Sequence, residues 1–133
     1  MYRKITAAVD ETDSAGRAVR EAIALARATG AEILFLHVGG DMAGEDALGW
    51  AAALARQSRV KARTARVANA GGVAATIVRE ADHWGSDLIV VGRHNRRGVE
   101  RLLLGSVAEA VARAADVPVL LVYRGTLDPA PLH

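Results

Sequence analysis

The chain has 133 residues, enough for one domain with a real core, and its formal net charge of +2 is too mild to mark a nucleic-acid binder. Apolar residues make up 51% but aromatics only 4%, so the core must be built from small aliphatic side chains. There is no cysteine, which excludes disulfides and thiolate metal sites, and no apolar run approaches the roughly 18 residues a membrane span requires.

Ile5 to Val9 is a short apolar run of β-formers and reads as a first strand. The N-terminus, MYRKITAAVD, is basic and then only briefly apolar, and lacks the longer apolar region of a signal peptide. Together with the missing cysteines this gives the expectation of a cytoplasmic protein. Asp10 to Ser14 is polar and rich in helix-capping residues. Ala15, Ala18, Val19, Ala22, Ile23 and Ala26 then recur at helical spacing, and Gly30 stops the helix. Ile33 to Val38 is a continuous apolar strand of the buried kind, and Gly39 to Gly44 reads as a loop.

A second helical stripe runs through Ala47, Leu48, Ala51, Leu54 and Ala55. Lys61 to Val67 alternates weakly and is expected near a sheet edge. Asn69 to Gly72 turns into a third helix with Ala74, Ile77, Val78 and Ala81 inward, ended by Gly85. Leu88 to Val91 is a fourth strand. Ser106 starts a fourth helix whose inward stripe is expected at Val107, Ala110, Val111 and Ala114. Val117 to Tyr123 is a fifth strand, with Pro118 suiting an edge. Residues 1–123 thus form the domain, and 124–133, with two prolines, a tail. By hydropathy the second, fourth and fifth strands are expected to be the most buried, and Trp50 and Trp84 to cover the sheet.

Five strands alternating with four helices predict an α/β fold with a parallel sheet and helices on both faces. In such sheets ligands bind beyond the carboxyl ends of the strands, where the strand order reverses. If the chain winds outward through strands two and three and crosses back to lay strand four beside strand one, the reversal lies between Asp10 and Gly92. Gly105-Ser106 at a helix start offers backbone N–H groups and the positive end of a helix dipole, which suit phosphate. Gly92 lets backbone approach a ligand without a Cβ between them. Asp10 suits ribose hydroxyls, whereas Asp13 and Ser14 are read as helix caps. The cations Arg93, Arg96, Arg97 and Arg101 suit a polyphosphate or an acidic partner, or form a solvated face. No Walker loop and no G-x-G-x-x-G after strand one is present, which argues against dinucleotides.

The segment VVGRHNRRGVERLLLGS, flanked by SDLI before it and by VAEAVARAADVPVLLV after it, resembles the universal stress protein family. The family's glycine, two residues, glycine, nine residues and Gly-Ser or Gly-Thr is matched in spacing by Gly92, Asn95, Gly105 and Ser106. AAVDETDSAGRAVREAIALA resembles the family's first strand and helix, and EILFLHV its second strand. The resemblance spans about Tyr2 to Tyr123. It implies a Rossmann-like five-stranded parallel sheet of order 3-2-1-4-5 and a homodimer through strand 117–123. It further implies ATP or AMP binding with Mg2+. Asp10 would lie on the ribose side and Val38 near adenine, while Gly92, Gly105 and Ser106 would hold the phosphates, with Val107 next on the helix. Ala8, Val9, Val91, Arg93 and Asn95 complete the implied nucleotide site.

Two residues depart from the family pattern. Asn95 replaces its second glycine, although asparagine tolerates left-handed backbone and its amide can donate to phosphate. Glu11 adds negative charge where glycine is common. Both favour an alternative: a dimeric stress module that binds no nucleotide and acts through protein partners. No general base is evident, so any ATP hydrolysis is expected to be slow, and no catalytic residue is assigned. Ser106 sits on no nucleophile elbow, and His37 is expected in the core or crevice rather than on a metal. A phosphoacceptor receiver domain is set aside, since Asn69 stands near the end of strand three and no lysine follows Lys61.

Overall fold

The computed structural model describes residues 1–10, 13–40, 42–92 and 105–122. Their order is β1 (Lys4–Ala8), α1 (Asp13–Thr29), β2 (Glu32–Val38), α2 (Met42–Gln57), β3 (Ala62–Val67), α3 (Val73–Trp84), β4 (Leu88–Gly92), α4 (Ser106–Ala114) and β5 (Val119–Val122). The five strands form one sheet of order β3-β2-β1-β4-β5, all neighbours parallel. Both the architecture and the reversal of strand order at β1 are those expected.

Alternation of side chains along each strand sends residues to opposite faces of the sheet. Ile33 and Phe35 of β2 join the core under α1 and α2, while Leu34 and Leu36 join the core under α3 and α4. Buried alanines (Ala18, Ala22 and Ala26 of α1, Ala51 and Ala55 of α2) bring the first helix pair close to the sheet. Phe35, Ile5, Ile33 and Ile89 are fully enclosed, each stabilising the fold by roughly 1.5–3 kcal/mol. Gly30 (φ 80°) and Gly85 (φ 87°) end α1 and α3 in the left-handed region, as their positions in the sequence suggested.

The central strand is latched at its beginning. The Asp87 carboxylate accepts from the backbone N–H groups of Arg3 and Lys4, and the Asp87 N–H donates to the Lys4 carbonyl at 2.8 Å. Beside them the hydroxyls of Thr6 and Ser86 are hydrogen-bonded inside the core. Trp84 packs partly buried against the core under α3 and α4, with the Lys4 ammonium and the Arg63 guanidinium over its ring at 5.1 and 5.8 Å.

Four expectations need correction. Trp50 does not cover the sheet: it is 42% exposed on α2, with Arg20 of α1 stacked 5.4 Å from its ring. In α4 the buried residues are Ala108 and Val111, and Ala110 and Ala114 face outward. β5 is as apolar as β4 yet only Val122 is buried, because β5 lies at the sheet edge. Gly44, read as a loop residue, lies in the first turn of α2 and is buried. The 124–133 tail falls outside the described residues.

Candidate functional site

At the carboxyl ends of β1, β2 and β4 the sheet opens into a cleft of about 260 Å³. The sequence places it there because β1 sends its chain on to β2 on one side while β4 returns on the other, so the loops after these strands diverge. Ala8, Val9 and Asp10 come from β1 and the residues after it, Leu36, His37 and Val38 from β2, and Val91 and Gly92 from β4. Val73 and Ile77 of α3, Ala15 of α1 and Val107 of α4 complete the lining.

The lining divides by chemistry. Ala8, Val38, Val73, Ile77, Val91 and Val107 all belong to the apolar layer between the sheet and α3 and α4, and they form a slot suited to a flat apolar-faced ring. Asp10 is exposed on the rim, where a carboxylate is solvated and able to accept from hydroxyl groups. The cleft is smaller than the roughly 300–1,000 Å³ of sites that enclose a whole small molecule, so it suits one end of a ligand whose remainder lies outside.

His37 is 5% exposed and its Nδ1 lies 2.7 Å from the Val9 carbonyl. With that carbonyl as acceptor, Nδ1 carries the proton. The bond ties the end of β2 to the residue immediately before Asp10, and Val9 N–H donates back to the Leu36 carbonyl at 2.9 Å. The ring is seated against the backbone of α2. A Cβ built at Gly44 would fall 2.0 Å from Nε2 and 2.1 Å from Cδ2. Glycine at 44 is therefore what allows α2 to begin over the histidine. Among the described residues no group of three or more His, Cys, Asp or Glu side chains is arranged to hold a metal.

Gly105 and Ser106 begin α4, as expected. Gly105 is extended (φ −68°, ψ 157°), and among the described residues no side chain caps the helix. The first N–H groups of a helix have no partner within the helix itself. Ser106 is exposed and does not line the cleft, but Val107 does, so the helix start adjoins it. Of the site residues expected from sequence, Ala8, Val9, Asp10, Val38, Val91, Gly92 and Val107 meet at the cleft, and Gly105 and Ser106 border it. Arg93 and Asn95 lie outside the described residues, as does Glu11. Sequence reasoning missed Ala15, Leu36, Val73 and Ile77 as lining. Their signal was the helical or strand stripe alone, which marks burial and not proximity to a ligand.

Comparison with known proteins agrees with this geometry. A model of the universal stress protein family matches residues 1–45 and 46–123. Universal stress protein MJ0531 of Methanocaldococcus jannaschii is 32% identical over 145 residues, covering 93% of this chain and 84% of that protein. Among solved structures, a universal stress protein in complex with cAMP is 29% identical, with a TM-score of 0.77, and the match covers 92% of this chain and 98% of that one. The universal stress protein of Archaeoglobus fulgidus in complex with dAMP is 26% identical, with a TM-score of 0.75, over 91% of this chain and 98% of that one.

Proposed function

The chain belongs to the universal stress protein family, and on that premise we propose that it is a stress-response regulatory protein that binds ATP or AMP. The observation that carries this reading is the apolar slot at the strand ends, with a carboxylate on one rim and the N-terminus of α4 adjoining the other. Adenine enters between Val38 of β2 and Ile77 and Val73 of α3, where its faces lose water to aliphatic carbon. The Asp10 carboxylate accepts from the ribose hydroxyls. The phosphates extend toward the first turn of α4, whose N–H groups and dipole favour negative charge. The complexes of structural neighbours with cAMP and dAMP support the choice of an adenine nucleotide.

The residues present fit such a ligand. Mg2+, when bound, neutralises phosphate charge. This chain's residues bind and orient. Among the described residues the titratable groups lining the cleft are Asp10, at the rim, and His37, whose ring is tied through Nδ1 to the Val9 carbonyl and packs with Nε2 against Gly44 of α2.

The same reading includes a homodimer through strand 117–123. Val119, Leu120 and Leu121 are only partly buried at the edge of the sheet, and an apolar edge of this kind is protected by pairing with a copy of itself. A cytoplasmic location accords with a chain that has no cysteine. Calorimetry with ATP and Mg2+ on the wild type and on Asn95→Gly tests the proposal. Micromolar binding by the wild type is expected. Binding only by Asn95→Gly would mean a site lost at one residue and would favour the alternative, a module acting through protein partners.

A further inference from the structure

On the face away from α3 and α4, helices α1 and α2 leave a groove of about 600 Å³ lined by Arg20, Ile23, Ala24, Arg27, Leu54 and Ser58. Its floor is aliphatic and its walls are cationic. It runs on through Arg27 and Ser58 into a second depression of about 400 Å³ that includes Arg59 and Lys61. Four cations therefore follow one track. Of the carboxylates on the flanking elements, Glu21 of α1, Glu32 of β2 and Glu45 and Asp46 of α2, none lines either depression. Glu45 is instead paired with Arg66 of β3, at 2.9 Å.

Two further observations set this face apart from an ordinary solvated one. Trp50, the most exposed aromatic of the described helices, lies beside it at 42% exposure with Arg20 stacked on its ring. Tryptophan and arginine together are the residues that dominate binding energy at protein interfaces. Arg59 is the one non-glycine residue with positive φ among the described residues, at 60°. It occupies the turn after α2, where Arg59 N–H donates to Arg56 O and Val60 N–H to Ala55 O. Glycine is the favoured residue in that conformation, yet the position carries a cation that faces the track.

The geometry points to this groove as a docking surface for an acidic amphipathic helix of a partner protein. Arg20 and Arg27 are seven residues apart on α1, about 10 Å along its axis at ~1.5 Å per residue. That matches carboxylates two helical turns apart on the partner. The apolar side chains between those carboxylates would lie on Ala24, Ala28 and Leu54. A protein segment is favoured over a polyanion because the floor is aliphatic and contributes nothing to a phosphate backbone. The surface lies outside the nucleotide cleft and does not depend on the reading of that cleft.

The test uses the full chain and a synthetic helical peptide of about 14 residues, roughly four turns, with Glu and Leu placed at that spacing. Its partners are a scrambled peptide of the same composition and heparin as a polyanion without apolar groups. Amide chemical shifts should move on α1 and α2 with the ordered peptide. Arg20→Glu with Arg27→Glu should weaken binding at least tenfold, while Arg113→Glu on α4 leaves it unchanged. Arg59→Gly should weaken binding without lowering the melting temperature, a combination that a purely structural role would not produce. Equal binding of the scrambled peptide, equal or tighter binding of heparin at the same residues, or shifts confined to other elements would overturn the proposal.

Discussion

Gly44→Ala separates two physical effects of opposite sign. In a helix interior alanine is preferred over glycine by about 1 kcal/mol, so propensity alone predicts a stabilised α2. The site predicts the reverse. The new Cβ would stand 2.0–2.5 Å from three atoms of the His37 ring, well inside van der Waals contact. The ring cannot simply lean away, because it is 5% exposed and held to the Val9 carbonyl at 2.7 Å. Overpacking of this kind costs about 1–3 kcal/mol. Breaking the bond and leaving the buried Val9 carbonyl without its partner adds about 1–3 kcal/mol. Against the propensity gain the net is about 1–5 kcal/mol of destabilisation. At about 4 °C per kcal/mol for a domain of this size, that is a fall of roughly 4–20 °C in melting temperature.

Thermal unfolding followed by circular dichroism measures it, with controls in the same fold. A Cβ at Gly49 of α2 or Gly16 of α1 meets nothing within 4 Å, so Gly49→Ala and Gly16→Ala should raise stability by about 0.5–1 kcal/mol. His37→Ala should relieve much of the penalty in Gly44→Ala, giving a coupling energy in a double-mutant cycle. If Gly44→Ala melts at or above the wild-type temperature, the packing argument is wrong.

Three other outcomes follow from the structure. Thr76 is 1% exposed and its hydroxyl donates to the Gly72 carbonyl at 2.8 Å while accepting from Ala70 N–H at 3.0 Å. Thr76→Val should therefore cost about 1–3 kcal/mol in urea unfolding. Asp10→Asn should weaken ATP affinity about tenfold in calorimetry; undiminished affinity would remove Asp10 from the ribose contact. The Pro118 carbonyl accepts from Ile89 N–H, so the Val119 N–H of the same trans peptide points away from β4. Val119→Pro should leave the internal ladder intact and shift a dimer toward monomer in sedimentation, because it removes an outward donor. A dimer of unchanged strength would place the contact elsewhere.

How much of this could be read beforehand depended on whether the cause was local. Strand and helix order was legible because periodicity and the stops at Gly30 and Gly85 act within a few residues. The cleft was legible because one inference about winding placed Asp10 opposite Gly92. Alanine, however, marks a helix face poorly, since it is tolerated both inside and outside; hence Ala110 and Ala114 turned outward and Ala108 inward. The apolar content of β5 gave no indication that an edge would leave it half exposed. Gly44 looked like a loop glycine, since the ring it accommodates is brought there by the fold and not by its sequence neighbours. Val73 and Ile77 could be recognised as core, but their role as one wall of the slot appeared only when α3 was laid beside β2.

The latch at Asp87 also bears on the order in which the chain acquires structure. Arg3 and Asp87 are 84 residues apart, and the strand that Asp87 clasps precedes the other four strands of the sheet in chain order. One side of β1 can pair with β2 early. Its other side needs β4, so closing it means closing a long loop, which slows folding. Until then a β-edge rich in Ile5, Thr6 and Ala7 stays open in the middle of the future sheet. A nascent chain halted after β3 would carry that open edge into the cell, where it is a site for mispairing. The carboxylate of Asp87, waiting for two backbone amides at the head of β1, is placed to set the register when β4 arrives.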